Sequence, residues 1–353
     1  MKKFLIIVSL IIFALIPHIL NGSVKTVNAQ SGSSEIVMEV ASKRVLFAQN
    51  ENEKKFMAST TKILTAICII ENCNLDDIVT VTAETVGVEG SSIYLEIGEK
   101  LSVKELLYGL MLRSGNDCAE TLAVYCSGSI DKFAELMNFT AKKIGTTNSN
   151  FVNPHGLHDD NHYTTAYDLA LISCYSMSNS TFREIVGTKS VDISFSTRDY
   201  KRRLINKNKM LREFEGATGI KTGYTKKAGR CLVSSCKRNG MELVCVVLNC
   251  PPMFERSKNL LSECFDNYSL VKLAESDHIL DFIEVDGYNN KIGVYIKNDI
   301  VLPLTDEESS TLKMELNYPK HIEKSHNSNE EIGCIKIYAQ NNLIFSEKVY
   351  TII

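Results

Sequence analysis

Helical and strand-like patterns occupy separate blocks of the chain. Apolar and polar residues alternate over residues 34–47, which predicts a pair of strands. Residues 59–71 are apolar on nearly every side, which is typical of a helix in the centre of a domain. Another apolar helix is predicted over residues 101–113 and ends directly at Ser114. Further helical patterns cover residues 119–126, 132–144 and 166–175.

The pattern then returns to strands. Three successive strands are predicted, and the last two are joined by a turn that contains Asn239-Gly240, the strongest short hairpin signal. Strands at both ends of this block, with helices between them, predict an α/β (α+β) domain in which helices pack against an antiparallel sheet. The three strands are predicted at residues 219–225, 231–236 and 242–248, and a closing helix at residues 253–268.

From about Ser269 the chain consists of short alternating runs separated by charged or Asn-rich turns, which is typical of a small all-β module. The sequence therefore predicts two domains, one of residues 30–268 and a C-terminal β-domain of residues 269–353. The strands of this second domain are predicted at residues 282–285, 291–297, 312–316, 334–338 and 343–349.

The first 29 residues have the pattern of a signal peptide. Lys2 and Lys3 precede an unbroken apolar run over residues 4–16, and small residues at Val27 and Ala29 favour cleavage before Gln30. Thirteen apolar residues are fewer than the ~20 that span a bilayer, so export with cleavage is favoured over a retained membrane anchor.

Net charge and cysteine spacing argue against nucleic-acid binding and against a zinc site. A net charge of −3 gives no broad basic surface for nucleic acid. The eleven cysteines include no CxxC pair and match no zinc pattern, and several lie among apolar residues, where a free thiol behaves as a small hydrophobic group. We expect mostly reduced, buried cysteines, as in a low-oxygen habitat, and no cofactor.

Ser59 and Lys62 form the first candidate for chemistry. The three-residue spacing places both side chains on one face of the predicted apolar helix. A serine hydroxyl attacks only when a neighbour removes its proton, and a lysine can do so where burial and nearby positive charge keep part of it neutral. The alternative for this pair alone is an ordinary N-cap serine and a surface lysine.

Two further short strings could complete such a site. Ser114-Gly115-Asn116 follows a helix, so the serine could relay a proton and the asparagine amide could hold a substrate carbonyl. Lys221-Thr222-Gly223 lies in a predicted strand, where a lysine and a threonine suit a terminal carboxylate. The backbone N–H groups of Tyr224 and Ser59 could form an oxyanion hole. Taken singly, the two strings are also typical of a helix-ending turn and of an exposed strand end.

Jointly, the order of these strings resembles the serine D-alanyl-D-alanine carboxypeptidases, the low-molecular-mass penicillin-binding proteins. The resemblance runs from about Ser33 to the C-terminus. It is carried by Met57-Ala58-Ser59-Thr60-Thr61-Lys62, Leu112-Arg113-Ser114-Gly115-Asn116-Asp117, Asn153-Pro154-His155-Gly156-Leu157 and Lys221-Thr222-Gly223-Tyr224-Thr225.

The resemblance implies the β-lactamase/transpeptidase-like fold and a role for each matching residue. Ser59 is the implied nucleophile, Lys62 the base and Ser114 the proton relay. Lys221 and Thr222 are implied to bind the terminal carboxylate, and Asn116, Gly223 and Thr225 are the other substrate-binding positions. The implied partners are the D-Ala-D-Ala end of a peptidoglycan stem peptide, and β-lactams as inhibitors. Many members add a C-terminal amphipathic membrane helix, which is not predicted here; the C-terminal domain is the candidate for contact with the wall or membrane surface.

A group of histidines and carboxylates raises the alternative of a zinc site. His155, His158, Asp159, Asp160 and His162 lie within eight residues. They lack a helical H-E-x-x-H arrangement, and Pro and Gly residues among them are turn formers. The resemblance also implies a loop without metal here, so we favour a structural loop.

Two other functions remain as alternatives. A class A-like β-lactamase needs a glutamate that activates the deacylating water. The interval between the second and third strings offers Glu120, Glu135 and Glu184 among its glutamates, none in an E-x-x-L-N context. A non-catalytic wall-binding or β-lactam-sensing protein is the other alternative, although it would be expected to lose a catalytic residue or to carry several transmembrane helices.

Overall fold

A computed structural model describes residues 32–276, 278–286, 291–322 and 328–352. The predicted signal peptide lies outside these residues. Within them, no helix has both the length and the apolar character needed to cross a membrane.

The first domain is built around one five-stranded antiparallel sheet in the order β2-β1-β9-β8-β7. β1 and β9 come from opposite ends of the domain and pair in the middle of the sheet. The strands of this domain are β1 (Ser34–Glu39), β2 (Val45–Gln49), β3 (Ile78–Thr80), β4 (Lys100–Ser102), β5 (Ser190–Ile193), β6 (Arg202–Ile205), β7 (Ala217–Thr225), β8 (Gly229–Arg238) and β9 (Met241–Leu248).

Helices cover both faces of this sheet. All eight residues of β9 are buried. Val244 and Val246 pack into the core beneath the helices of the middle block, whereas Cys245 and Val247 pack towards the last helix. Alternate residues of the strand therefore contribute to two hydrophobic cores, one on each face, and the domain has three layers: helices, sheet and helix. The helices are α1 (Lys62–Asn72), α2 (Val103–Tyr108), α3 (Asn116–Ser127), α4 (Ile130–Ile144), α5 (Ala166–Met177), α6 (Ser180–Gly187), α7 (Met210–Glu213) and α8 (Met253–Asn267).

Two predicted helices begin differently from expectation. Ser59 lies in a 3-10 turn (Ala58–Thr61), and the α-helix itself starts at Lys62. The helix predicted over residues 101–113 starts at Val103, because Ser102 caps it and forms a capping box with Glu105. Its last five residues, Gly109–Arg113, form a π-helical turn.

The C-terminal domain is a second set of sheets with its own core. A six-stranded sheet has the order β14-β16-β17-β12-β11-β15, and β10 pairs with β13 beside it. Arg44 of the first domain donates hydrogen bonds to the Pro303 carbonyl and the Glu308 carboxylate of the second. The elements are β10 (Ser269–Ala274), β11 (Asp281–Val285), β12 (Lys291–Tyr295), β13 (Ile300–Leu304), α9 (Asp306–Ser310), β14 (Lys313–Asn317), β15 (His321–Ile322), β16 (Glu331–Ala339) and β17 (Asn342–Ile352).

The predicted fold class is therefore confirmed, with helices on an antiparallel sheet followed by a sheet domain. The Asn239-Gly240 hairpin also forms as predicted. Both turn residues have positive φ, and the register joins Arg238 directly to Met241. All eleven cysteines are free, and most of them are buried.

Candidate active site

Lys62 is the first residue of α1, and its side chain is completely buried beneath the turn that carries Ser59. Its Nζ lies 3.2 Å from Ser59 Oγ, 2.7 Å from Asn116 Oδ1 and 2.7 Å from the His155 carbonyl oxygen. A neutral amine has two N–H groups and one lone pair. If the amide and the carbonyl take the two N–H groups, the lone pair is left for the Ser59 hydroxyl.

The surroundings of Lys62 favour that neutral form. Burial and the ammonium group of Lys221 hold the pKa of Lys62 well below the usual range of a lysine. Among the described residues, Lys62 forms no ion pair with a carboxylate. This agrees with the sequence-based inference that burial and nearby positive charge are needed, and it identifies Lys221 as the source of that charge.

Asn116 meets Lys62 where the preceding helix ends in its π-helical turn. Ser114 then adopts a left-handed conformation with φ of 64°, and Asn116 begins α3. The Asn116 amide accepts from Lys62 and donates to the Glu89 carbonyl, so its orientation is fixed from both sides. Asn116 therefore holds Lys62 directly, a contact that the sequence did not predict.

A buried carboxylate fixes the loop on this side of the site. Asp117 accepts hydrogen bonds from the Ser92 hydroxyl and from the backbone N–H groups of Ile93, Leu95 and Cys118. Its side chain is 1 % exposed. The loop that carries Ser91 and Ser92 is thereby tied to the start of α3.

The third string, Lys221-Thr222-Gly223, lies on β7, which is an edge strand of the five-stranded sheet. Lys221 is buried and its Nζ donates to the Thr222 carbonyl at 3.0 Å. Burial, with a smaller effect from Lys207, lowers the pKa of Lys221 to about 7. A Cβ at Gly223 would lie 3.1 Å from the Met57 carbonyl oxygen and from the Ser59 nitrogen, so glycine allows β7 to approach the nucleophile turn closely.

A cleft of about 280 Å³ opens above these buried groups. Thr225 is absent from its lining, and the Thr225 hydroxyl instead accepts a hydrogen bond from Ala228 within the β7–β8 turn. Lys62, Asn116 and Lys221 are buried beneath the cleft. The lining residues are Ser59, Ser91, Ser114, Lys207, Thr222, Gly223, Tyr224, Arg230, Met253 and Phe254.

Lys207 and Arg230 are the two cations of this lining, and the sequence analysis missed both. Lys207 Nζ lies 3.2 Å from Ser91 Oγ, and Arg230 stands opposite Tyr224 across the β7–β8 pair, with its guanidinium 5.6 Å from the ring centroid. Neither belongs to a recognisable string. The only signal for Arg230 was its place one hairpin away from Lys221.

The histidine loop, residues 153–162, packs directly on α1. The Pro154 carbonyl accepts from Thr65 and the His155 carbonyl accepts from Lys62. The His155 ring accepts from the Leu157 N–H and lies 3.2 Å from Glu120, and burial lowers its pKa. Among the residues that the structure describes, no group of three or more His, Cys, Asp or Glu residues is arranged to hold a metal ion.

Two family profiles match the chain. The family described as D-alanyl-D-alanine carboxypeptidase matches residues 22–251. The C-terminal domain of penicillin-binding protein 5 matches residues 268–352.

Individual relatives and solved structures agree with these matches. The D-alanyl-D-alanine carboxypeptidase DacF of Bacillus subtilis is 29% identical over 331 residues, which cover 91% of this chain and 85% of the relative. DacC of Escherichia coli is 34% identical over 270 residues, 72% of this chain and 66% of the relative. Penicillin-binding protein 5 from Haemophilus influenzae superposes with a TM-score of 0.80 at 27% identity, over 90% of this chain and 96% of that one.

Proposed function

Because the chain belongs to the D-alanyl-D-alanine carboxypeptidase family, we propose that it removes the terminal D-alanine from peptidoglycan stem pentapeptides through an acyl-enzyme on Ser59. The observation that carries this proposal is the buried Lys62 amine, 3.2 Å from Ser59 Oγ, with its pKa lowered by burial and by Lys221. A neutral lysine in this place is a general base for the serine.

In the acylation step, Ser59 Oγ attacks the carbonyl carbon of the penultimate D-alanine while its proton passes to Lys62. The N–H groups of Ser59 and Tyr224 stabilise the oxyanion, which the close approach of Gly223 to the Ser59 nitrogen makes geometrically reasonable. The C–N bond then breaks and the terminal D-alanine leaves with a proton supplied through Ser114.

Substrate binding is assigned to the walls of the cleft and to Asn116 directly beneath it. Asn116 contacts the substrate as well as Lys62, and Thr222 binds the terminal carboxylate in the positive field of Lys221. Lys207 and Arg230 line the same cleft and add to that field. Thr225 shapes the turn that ends β7, and its hydroxyl is already bonded there.

Hydrolysis of the acyl-enzyme completes the cycle, and a β-lactam would be held at this stage. No acidic residue is found in the described lining of the cleft. Glu120 lies beside His155, and Glu184 contacts Tyr108 and Lys104. Without a carboxylate to activate water, the penicilloyl ester is expected to persist, which favours a carboxypeptidase over a β-lactamase.

The proposal extends to location and organisation. Residues 1–29 are a signal peptide cleaved before Gln30, which places the enzyme outside the cytoplasmic membrane. Residues 30–268 form the catalytic domain, and residues 269–353 are the candidate for contact with the wall or membrane surface. N-terminal sequencing of the protein recovered from its native cells is expected to begin at Gln30; a start at Met1 would overturn the cleavage.

Intact-mass labelling with benzylpenicillin, together with an assay of D-alanine release, tests the function. We expect one adduct, mapped to Ser59 and stable over many minutes, and release of one D-alanine from an acyl-D-Ala-D-Ala peptide. Ser59→Ala should abolish both, whereas Ser269→Ala, at an exposed serine of the C-terminal domain, should change neither. Release of D-alanine by Ser59→Ala would refute the mechanism, and rapid loss of the adduct would favour a β-lactamase.

A further inference from the structure

The residue before the nucleophile is held in an unfavourable backbone conformation. Ala58 has φ of 49°, a left-handed value that an alanine rarely adopts. Such strain persists only where surrounding contacts impose it, and it is often found at functional sites. The question is which contacts hold Ala58 and therefore set the direction of Ser59.

The carbonyl of Ala58 is held by two contacts. Its oxygen accepts a hydrogen bond from Thr61 Oγ1 at 2.8 Å. On its other side lies Gly156 of the histidine loop, where a Cβ would be 1.9 Å from the Ala58 oxygen and 2.8 Å from Thr61 Oγ1. The backbone of the histidine loop therefore lies directly against the nucleophile turn.

The ring of His162 determines which groups donate and which accept in the hydrogen bonds that reach Ala58. His162 Nδ1 accepts from the Val152 N–H at 3.1 Å, so the neutral ring carries its proton on Nε2. Nε2 lies 2.8 Å from Thr61 Oγ1 and donates to it. The Thr61 hydroxyl, which accepts from the ring, directs its own proton to the Ala58 carbonyl.

The ring cannot easily leave this state. His162 is 2 % exposed, and burial lowers its pKa to about 3. The ring therefore stays neutral and keeps one tautomer across the pH range in which lysine-assisted acylation occurs. The ring also packs against Phe151 in a T-shaped arrangement, with ring centroids 5.7 Å apart.

We propose that His162 is a positioning residue for acylation, which acts through Thr61 and Ala58 to keep Ser59 Oγ within reach of Lys62 Nζ. This inference rests on the proposed role of Ser59 as nucleophile. The histidine loop would then position both reacting groups. It holds Lys62 through the His155 carbonyl and the turn that carries Ser59 through the His162 ring.

The experiment measures the acylation rate constant and the apparent binding constant for benzylpenicillin separately, in the full chain. His162→Leu and Thr61→Val each remove one link. We expect each to lower the acylation rate constant by about 10–100-fold, because small displacements of a reacting group have effects of that size. The apparent binding constant should stay within about threefold, since the cleft lining is untouched.

Two conservative variants and one control make the test specific. Thr61→Ser keeps the hydroxyl, and His162→Gln keeps an N–H donor, so both should recover most of the rate. His158→Leu is the matched control. This residue belongs to the same loop, and its ring lies near Asp160 and Phe56, outside the hydrogen bonds to Ala58. It should acylate at the wild-type rate.

A double variant decides between positioning and a general loss of stability. His162→Leu combined with Thr61→Val should be no slower than either single variant, because both act on one chain of hydrogen bonds. Rates are expressed per folded molecule, from active-site titration. The inference is overturned if His162→Leu lowers the melting temperature but acylates normally, or if the two effects multiply. If the wild-type protein itself forms no adduct, the proposed function fails instead.

Discussion

Charged side chains are used differently in the two domains. In the first domain Lys62 and Lys221 are buried side by side, and neither forms an ion pair with a described carboxylate. In the C-terminal domain Lys272 lies exposed between Glu275 and Asp299, at 2.9 and 3.0 Å. Burying an unpaired charge is costly, whereas an exposed pair gains little. The buried lysines therefore point to a chemical role, whereas the exposed contacts of Lys272 are expected to contribute little.

The largest difference is expected when one lysine is removed from each domain. Lys62→Met should lower the rate of acylation by benzylpenicillin about 10²–10⁴-fold, because it removes the general base. Lys348→Met, which removes an exposed lysine paired with Glu331, should leave the rate unchanged. Stopped-flow or mass-based labelling measures both. Equal rates for Lys62→Met and the wild type would contradict the mechanism.

A substitution of one aspartate in each domain compares how much a buried and an exposed carboxylate contribute to stability. Asp117→Asn should lower the free energy of unfolding of the first domain by about 2 kcal/mol, because a buried carboxylate loses hydrogen bonds from several donors. Asp299 also accepts a backbone hydrogen bond, from Ser276, but is exposed, and Asp299→Asn should have little effect. Denaturant unfolding followed separately in each domain tests this; equal losses would show that burial does not decide the outcome.

A smaller effect is expected on the pH profile. The charge of Lys221 lowers the pKa of Lys62, so Lys221→Met should raise that pKa and reduce the neutral fraction of Lys62 at any given pH. The rising limb of acylation rate against pH should therefore move to higher pH, on the order of one unit. Lys226→Met, in the exposed turn after β7, is the control. A shift to lower pH, or none, would show that Lys221 acts only on the substrate.

The smallest effect is expected at the exposed ion pairs. Lys272→Gln removes both contacts with Glu275 and Asp299, yet surface pairs of this kind contribute little because water and salt screen them. Neither the melting temperature nor the acylation rate should change measurably. A clear loss of stability would mean that the exposed network holds the C-terminal domain together.

Much of the fold could be predicted because its strongest patterns are local. The apolar run after Lys62, the Asn239-Gly240 hairpin and the buried strand β9 each depend on neighbouring residues. β10 and β13 were both missed. In β13 the physical reason is Pro303, which interrupts the pattern, since a proline is tolerated only where a strand lacks a neighbour on one side. Here β13 pairs with β10 alone in the described sheets.

The sequence could propose residues for the candidate site but not the contacts that connect them. Ser59, Lys62 and Ser114 could be chosen from short strings; the structure places Lys62 Nζ 3.2 Å from Ser59 Oγ, and Ser59 and Ser114 in the lining of one cleft. Contacts such as Asn116 to Lys62, or His162 to Thr61, join positions 54 and 101 residues apart. Nothing in the local sequence indicates the left-handed backbone of Ala58, since alanine has no preference for it.

β7 has a consequence for how copies of the protein behave in solution. As the last strand of its sheet, it offers unpaired backbone groups that an extended peptide can use, but a second copy could use the same groups to self-associate. The exposed Lys226 and Lys227 stand at the end of this strand. Charged lysines beside an edge strand oppose its pairing with the edge of another chain, because any added strand must approach and desolvate them.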